Sequence, residues 1–201
     1  MPKRQNANQA ISAPASTARP PIDVYYVVGQ PRSGSTFVGD WVARHLNTVN
    51  AGEVWQTLRA MDRVQEENFT ARTERWADPE QKARKRTEIE AIPFWADVLS
   101  RSIADPYEAL VSVAAERGGA IVDTSKTDRG IARYEALGCN VVVIHTARAF
   151  STWSRSVIKY RSQYNISVPS KLRLLRGYIK LNRRYSAYSR THSYHAIPQE
   201  R

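Results

Sequence analysis

The chain has 201 residues, of which 42% are hydrophobic, and a formal net charge of +11 at pH 7. This length and hydrophobic content suit one domain with a sizeable core, and they exclude a chain that is disordered throughout. Cys139 is the single cysteine, which excludes a disulfide framework and a cysteine-based zinc site. No apolar run approaches the roughly 18 residues of a membrane span, and the N-terminus lacks the apolar segment of a secretory signal. We therefore expect a cytoplasmic protein with no membrane partner.

The N-terminal segment differs in composition from the rest. Residues 1–21 are rich in Ala, Pro, Ser, Asn and Gln and contain no acidic residue, which predicts a flexible tail. A transit peptide has the same composition, so that interpretation stays open. We expect the folded domain to span residues 22–201.

The first folded element leads into a glycine-containing loop. The apolar run Val24-Tyr25-Tyr26-Val27-Val28 predicts a strand, and the apolar spacing after residue 36 predicts a helix. Between them lies Gly29-Gln30-Pro31-Arg32-Ser33-Gly34-Ser35-Thr36, whose glycines allow backbone N–H groups to converge on an anion. A nucleotide hydrolase would need a lysine after the second glycine, but that residue is Ser35. The basic residue, Arg32, lies inside the loop.

The middle of the chain predicts a short strand and several helices. Residues 48–55 are short and mixed, typical of a strand that leads into a loop, and residues 66–90 predict exposed helices of mixed charge. An apolar stripe over 94–103 predicts another helix. Asp105-Pro106-Tyr107-Glu108 has the N-cap, first-turn proline and acidic third position of a helix start, and Gly118 is placed to end that helix.

The remainder predicts a β-α-β unit followed by two helices and a last strand. We expect strands over 120–122, 140–146 and 193–197, and helices over 128–137, 150–163 and 170–189. Strands that alternate with helices favour a parallel sheet covered on both faces, with ligands at the carboxyl ends of its strands. Three predicted strand ends bear candidate site residues: the 29–36 loop, the segment 123–126, and Arg148 with Ser156.

Charge is distributed unevenly along the chain. Residues 136–199 contain no Asp or Glu and 11 Lys or Arg residues, which equals the net charge of the whole chain. This segment favours an anionic ligand such as a nucleotide, an acidic substrate or a nucleic acid, although a solvated basic helix face has the same pattern. No recognised nucleic-acid-binding motif accompanies the charge, so we expect no nucleic-acid partner.

Four motifs, in this order along the chain, resemble those of the sulfotransferases that use 3′-phosphoadenosine-5′-phosphosulfate. The 29–36 loop resembles the family's 5′-phosphosulfate motif, and Gly52-Glu53 resembles its Gly-Glu segment. Val-Asp-Thr-Ser-Lys at 122–126 resembles the family's Val-Asp-Ser-Ser-Lys. A strand that ends in Arg148, with Ser156 eight residues later, resembles its 3′-phosphate motif. The resemblance implies a P-loop NTPase-like α/β fold, a three-layer sandwich with a central parallel β-sheet flanked by helices.

The resemblance also implies a reaction and a role for each motif residue. The donor nucleotide would pass its sulfuryl group, without a metal, to the hydroxyl or amine of an unidentified acceptor such as a carbohydrate or another small molecule. Arg32 and Lys126 would stabilise charge at the leaving oxygen and the sulfuryl group, and Glu53 would be the general base. The expected nucleotide-binding residues are Arg32, Ser33, Gly34, Ser35, Thr36, Arg148 and Ser156.

Two features depart from the family pattern. Many members continue Asp-Pro-Arg after the strand arginine, where this chain has Ala149-Phe150-Ser151. The chain also ends near the point where a C-terminal loop would close over the nucleotide. A truncated or catalytically impaired relative that binds the nucleotide without turnover is therefore the alternative, and a P-loop kinase or ATPase is disfavoured by Ser35.

Three residues near these motifs favour structural roles. His145 lies inside a predicted buried strand and is expected to be a hydrogen-bonded core histidine. Asp123 is expected to cap or orient its turn, and Cys139 to behave as a small hydrophobic residue.

Overall fold

A computed structural model of the chain describes residues 22–63 and 78–199. Within them, five strands form one sheet in the order β2-β3-β1-β4-β5, and every adjacent pair is parallel. The strands are β1 (Asp23–Gly29), β2 (Val49–Gly52), β3 (Ala120–Lys126), β4 (Asn140–Arg148) and β5 (Ser193–Gln199). The central strands contain many β-branched residues, as strands covered on both faces do.

Eight α-helices connect or follow these strands within the described ranges. They are α1 (Ser35–His45), α2 (Val54–Ala60), α3 (Pro79–Glu90), α4 (Pro93–Ser100), α5 (Pro106–Glu116), α6 (Ile131–Ala136), α7 (Phe150–Gln163) and α8 (Lys171–Ser186). A short 3₁₀ helix, Ala187–Arg190, joins α8 to β5. At the start of α5, the Asp105 side chain accepts hydrogen bonds from the N–H groups of Tyr107 and Glu108, as the sequence predicts.

The core consists of one layer on each face of the sheet. Alternate side chains of β1 enter different clusters, so Tyr26 and Val28 pack with residues of α2, α4, α5 and α6, whereas Val27 packs with Val38 and Val42 of α1. This two-residue alternation is what a strand between two helical layers requires. The predicted α/β fold with a central parallel sheet flanked by helices is confirmed.

Strand pairing brings the predicted site segments to one edge of the sheet. Lys126 at the end of β3 lies opposite Val28, and Gly29 at the end of β1 lies opposite Thr146 of β4. Arg148, the last residue of β4, lies opposite Gln199 of β5. All strands are parallel, so their carboxyl ends share this edge, where ligands bind in open α/β sheets.

The predicted elements correspond to observed ones, but several of their bounds differ. Residues 123–126 were expected to follow the third strand but belong to β3, because β2 pairs with this strand as far as Asp123 and β1 pairs with it as far as Lys126. The helix predicted over 128–137 begins only at Ile131, since Asp128 is bound to Arg184 instead. The helix predicted over 170–189 ends at Ser186 and continues as 3₁₀.

Two predictions fall where no structure is described. The predicted tail, 1–21, and residues 66–77 of the predicted exposed helical segment 66–90 lie outside the described residues. Among the helices of residues 22–63 and 78–199, none is long and apolar enough to cross a membrane.

Candidate functional site

Two glycines determine the path of the loop between β1 and α1. A Cβ atom on Gly29 would lie 2.3 Å from Thr146 Oγ1 and 2.7 Å from the Thr146 carbonyl oxygen, so β4 leaves no room for a side chain. Gly34, the N-cap of α1, has a φ of 93°, which L-residues rarely adopt. The loop therefore depends on glycine at both ends.

Hydrogen bonds with three distant elements hold the loop in place. Buried Gln30 donates its side-chain amide to the Tyr178 carbonyl of α8 at 3.0 Å. Trp153 of α7 donates its indole N–H to the Pro31 carbonyl at 2.9 Å. Arg148 donates to the Arg32 carbonyl at 3.3 Å. These bonds fix the conformation of the loop, and they direct the Pro31 and Arg32 carbonyl groups toward the protein.

Ser33 also helps to fix this conformation. Its hydroxyl lies 2.7 Å from Thr146 Oγ1, which in turn donates to the Val28 carbonyl at 3.3 Å, so Ser33 must be the donor in the first bond. Its backbone N–H donates to the Gln30 carbonyl at 3.0 Å. Both donors of Ser33 are used within the protein. This residue, predicted to bind the nucleotide, therefore stabilises the conformation of the loop.

The next four backbone N–H groups, those of 34–37, have no acceptor within the described residues. The first intrahelical bond of α1 runs from the Val38 N–H to the Gly34 carbonyl, and no described side chain caps the helix. The buried Ser35 hydroxyl also has no hydrogen-bond partner among the described residues. A helix N-terminus with free donors and positive dipole potential attracts an anion of phosphate shape.

Two arginines border these donors. Arg32 is exposed at the tip of the loop, where its Nε lies 3.5 Å from Ser156 Oγ and its guanidinium lies over the Tyr160 ring, 5.4 Å from the centroid. Arg148 reaches the same loop from the end of β4. The structure therefore brings together Arg32, Arg148 and Ser156, as the sequence predicts, although 124 positions separate Arg32 from Ser156.

Backbone strain marks two of the predicted catalytic residues. Among the described residues, five non-glycine residues have positive φ, and three of them are Asn or Asp, which tolerate this conformation. The other two are Arg32, with φ 72°, and Lys126, with φ 64°. Strain of this kind clusters at functional sites, where the surrounding structure holds it in place.

Lys126 also forms an ion pair with the third predicted catalytic residue, Glu53. Lys126 Nζ donates to Glu53 Oε1, with the two side chains 20% and 39% exposed. Glu53 occupies the N-cap position of α2, but its side chain makes no capping bond. Carboxylate and ammonium lie together at the ends of β2 and β3, one strand away from the loop.

Buried Asp123 orients the backbone around this pair. Its Oδ1 accepts from the N–H of Ser125 at 2.8 Å and from the Ser125 hydroxyl at 2.5 Å, and its Oδ2 accepts from Tyr134 at 3.0 Å. The Ser125 hydroxyl oxygen accepts the N–H of Trp55 at 3.0 Å, which joins the start of α2 to the end of β3. The expected orienting role of Asp123 is confirmed. Burial outweighs these hydrogen bonds and raises the pKa of Asp123 to about 7.

His145 is the core histidine that the sequence predicts. It is 3% exposed, and its ring nitrogens lie 2.7 Å from the Tyr194 hydroxyl and 3.0 Å from Asn182 Oδ1. Burial lowers its pKa. Both ring nitrogens are satisfied inside the fold.

Several residues that support the site were missed by the sequence analysis. Thr146, Gln30 and Tyr178 position the loop, and the Gln199 side chain lies against Gly34, with Oε1 3.1 Å from the position of a Cβ there. Thr146 had a signal, since it is two residues before Arg148 at a strand end. Tyr178 had none, because a tyrosine on a helix usually packs.

Comparison with known proteins adds no relative: no protein-family model matches the chain, and no curated protein matches it. Over residues 22–63 and 78–199, no group of three His, Cys, Asp or Glu side chains is placed to hold a metal ion.

Proposed function

We propose that this protein is a sulfotransferase that moves the sulfuryl group of 3′-phosphoadenosine-5′-phosphosulfate to an acceptor hydroxyl. The observation that supports this most strongly is the row of N–H groups at 34–37, unused within the described residues and flanked by Arg32 and Arg148. These donors are suited to an anion and need no lysine after Gly34. The proposal includes the P-loop-like character of the fold, in which this loop would bind the 5′-phosphosulfate.

The chemistry of the donor fits the residues present. The N–H groups, the exposed Thr36 hydroxyl and Arg32 would bind the 5′-phosphate and sulfate oxygens. Arg148 and Ser156 would bind the 3′-phosphate. The buried Ser35 hydroxyl, which has no partner among the described residues, would gain an acceptor when the anion binds.

Transfer would proceed by in-line displacement. A bond forms between the acceptor oxygen and sulfur while the bond from sulfur to the bridging phosphate oxygen breaks, and the departing electron pair stays on the nucleotide. Arg32 and Lys126 would neutralise the charge on the leaving oxygen and the sulfuryl group. The acceptor proton would pass to Glu53, whose Oε1 is bound to Lys126 and whose Oε2 has no partner among the described residues.

The ion pair also favours a second candidate, a relative that binds the nucleotide without turnover. Glu53 and Lys126 satisfy one another, and Ala149-Phe150-Ser151 replaces the family's Asp-Pro-Arg after Arg148. Such a protein would retain the anion loop and lack transfer.

Sulfate transfer from labelled donor to a panel of hydroxyl-bearing acceptors separates the two candidates. We expect transfer by the unaltered chain, a loss of about a hundredfold or more in Glu53→Gln because the general base is removed, and unchanged donor binding in that variant. Glu90→Gln, at an exposed position on α3, is the matched control and should transfer normally. Donor binding without transfer to any acceptor would favour the binder, and full activity in Glu53→Gln would remove Glu53 from the mechanism.

A further inference from the structure

A cavity of about 300 Å³ lies between the first turns of α2 and α5 and helix α6. Its lining combines apolar and aromatic residues, namely Trp55, Ala104, Pro106 and Tyr107, with the charged residues Arg63, Asp105 and Arg133. Volumes of this size suit a ligand with a single ring, and an aromatic wall with a few charged groups is typical of small-molecule sites.

The cavity is connected to the candidate catalytic pair through the backbone. Trp55 is in the first turn of α2, two residues after Glu53, and its N–H donates to the Ser125 hydroxyl oxygen at 3.0 Å. Ser125 precedes Lys126, which binds Glu53. The cavity and the proposed general base thus share the first turn of α2, at the carboxyl edge of the sheet.

The charge of the lining favours an anion. Arg63 and Arg133 are exposed and form no ion pair within the described residues. The carboxylate of the lining, Asp105, is occupied by the N-terminus of α5, where its Oδ1 accepts from the N–H of Tyr107 at 2.8 Å. A third cation, Arg129, lies over the Trp55 ring at 5.4 Å from the centroid. Two exposed arginines in the lining of a small cavity are suited to binding a carboxylate through their guanidinium groups.

We propose that this cavity binds the acceptor, and that the acceptor is a small hydroxylated ring compound with an anionic group, which Arg63 and Arg133 recognise. This inference rests on the proposed sulfuryl transfer and names its substrate class. The ring contacts Trp55 and Tyr107, the anionic group binds the arginines, and the hydroxyl is the group that loses its proton to Glu53 as the new oxygen–sulfur bond forms.

Titration calorimetry on the full chain tests the substrate class. The probes are two carboxylates, 4-hydroxybenzoate and glucuronate, and their uncharged counterparts, methyl 4-hydroxybenzoate and methyl glucoside, each measured with and without adenosine 3′,5′-bisphosphate. We expect at least one carboxylate to bind about tenfold or more tightly than its counterpart, because charge-assisted hydrogen bonds are strong. Arg63→Gln and Arg133→Gln should each reduce this preference, whereas Arg84→Gln on α3, with a side chain 84% exposed, should not.

The pocket assignment is overturned if neither carboxylate binds, if charged and uncharged probes bind equally, or if the preference survives in the Arg63→Gln/Arg133→Gln double variant. Failure of the proposed function has a separate signature, because adenosine 3′,5′-bisphosphate would then not bind. The carboxylate preference measured without nucleotide still decides the pocket in that case.

Discussion

The two halves of the sheet's carboxyl edge differ in how far their polar groups are already satisfied. The half at β1 and β4 has a loop whose carbonyls are held by the protein while the N–H groups of 34–37 remain unpaired among the described residues. In the half at β2 and β3 most polar groups are paired with one another, since Lys126 binds Glu53 and Asp123 accepts three hydrogen bonds from Ser125 and Tyr134.

This difference separates binding from turnover. The first half is organised for an anion before any ligand arrives, so binding there requires little rearrangement. In the second half the Glu53 carboxylate and the Lys126 ammonium neutralise one another, so a substrate must compete with the ion pair to use them. Because the pair is partly exposed, breaking it is inexpensive, of the order of 1 kcal/mol or less.

The largest expected effect comes from filling the space at Gly29. Gly29→Ala places a methyl group within 2.7 Å of the Thr146 backbone, so β1 and β4 must separate or the loop must move. We expect a destabilisation of about 3 kcal/mol or more and loss of anion binding. Denaturant unfolding measures the first and calorimetry with adenosine 3′,5′-bisphosphate the second.

Gly177 provides the matched control for this substitution. It lies within α8, and a Cβ there meets no described atom within 4 Å. Gly177→Ala should therefore stabilise the protein by about 1 kcal/mol through helix propensity and leave binding unchanged. If Gly29→Ala and Gly177→Ala had the same stability and the same nucleotide affinity, the loop between β1 and α1 would have room for a side chain at position 29.

A second prediction concerns the half at β2 and β3, where Asp123 makes the free energy of unfolding depend on pH. The folded-state pKa of Asp123 is raised to about 7, above an unfolded value of about 3.9. Between these values the folded protein holds a proton that the unfolded chain releases. This residue's contribution to stability is therefore complete below the unfolded pKa, falls as pH rises from 4 to 7 by at most roughly 1.4 kcal/mol per pH unit, and is constant above.

The substitution Asp123→Asn removes this titration. The free energy of unfolding of the variant should lack the fall that Asp123 causes in the unaltered chain, so the destabilisation produced by the substitution should be smaller at pH 7.5 than at pH 4.5. Chemical denaturation of both proteins at four pH values between 4.5 and 7.5 measures this difference. A destabilisation that does not vary with pH would mean that Asp123 is ionised throughout.

The smallest effect tests the strain at Arg32 and Lys126. At a positive φ, glycine is favoured over alanine by about 1 kcal/mol, so Arg32→Gly should be more stable than Arg32→Ala, and Lys126→Gly more stable than Lys126→Ala. At Arg84, within helix α3, the order should reverse by a similar amount. Thermal unfolding of the six variants shows which of the glycine and alanine variants is more stable at each position. An alanine variant more stable than the glycine variant at Arg32 would refute the strain.

Much of the fold could be predicted because local signals were consistent. Asp105-Pro106 marked the start of α5, and continuous valines marked β4 as buried. The candidate site could be located because parallel strands end at one edge. Contacts between distant positions could not be predicted: the Gln30 bond to Tyr178 spans 148 positions, and no local pattern encodes it. The pairing of Lys126 with Glu53 likewise depends on strand order, which the sequence analysis did not determine.

The central claim is that the half of the site at β1 and β4 binds a 3′-phosphorylated adenine nucleotide. Calorimetry with adenosine 3′,5′-bisphosphate tests this claim most directly. The account predicts binding that is lost in Arg148→Ala and kept in Arg155→Ala, an exposed arginine on α7 in the same basic segment. No binding at high micromolar nucleotide, or equal binding by both variants, would contradict it.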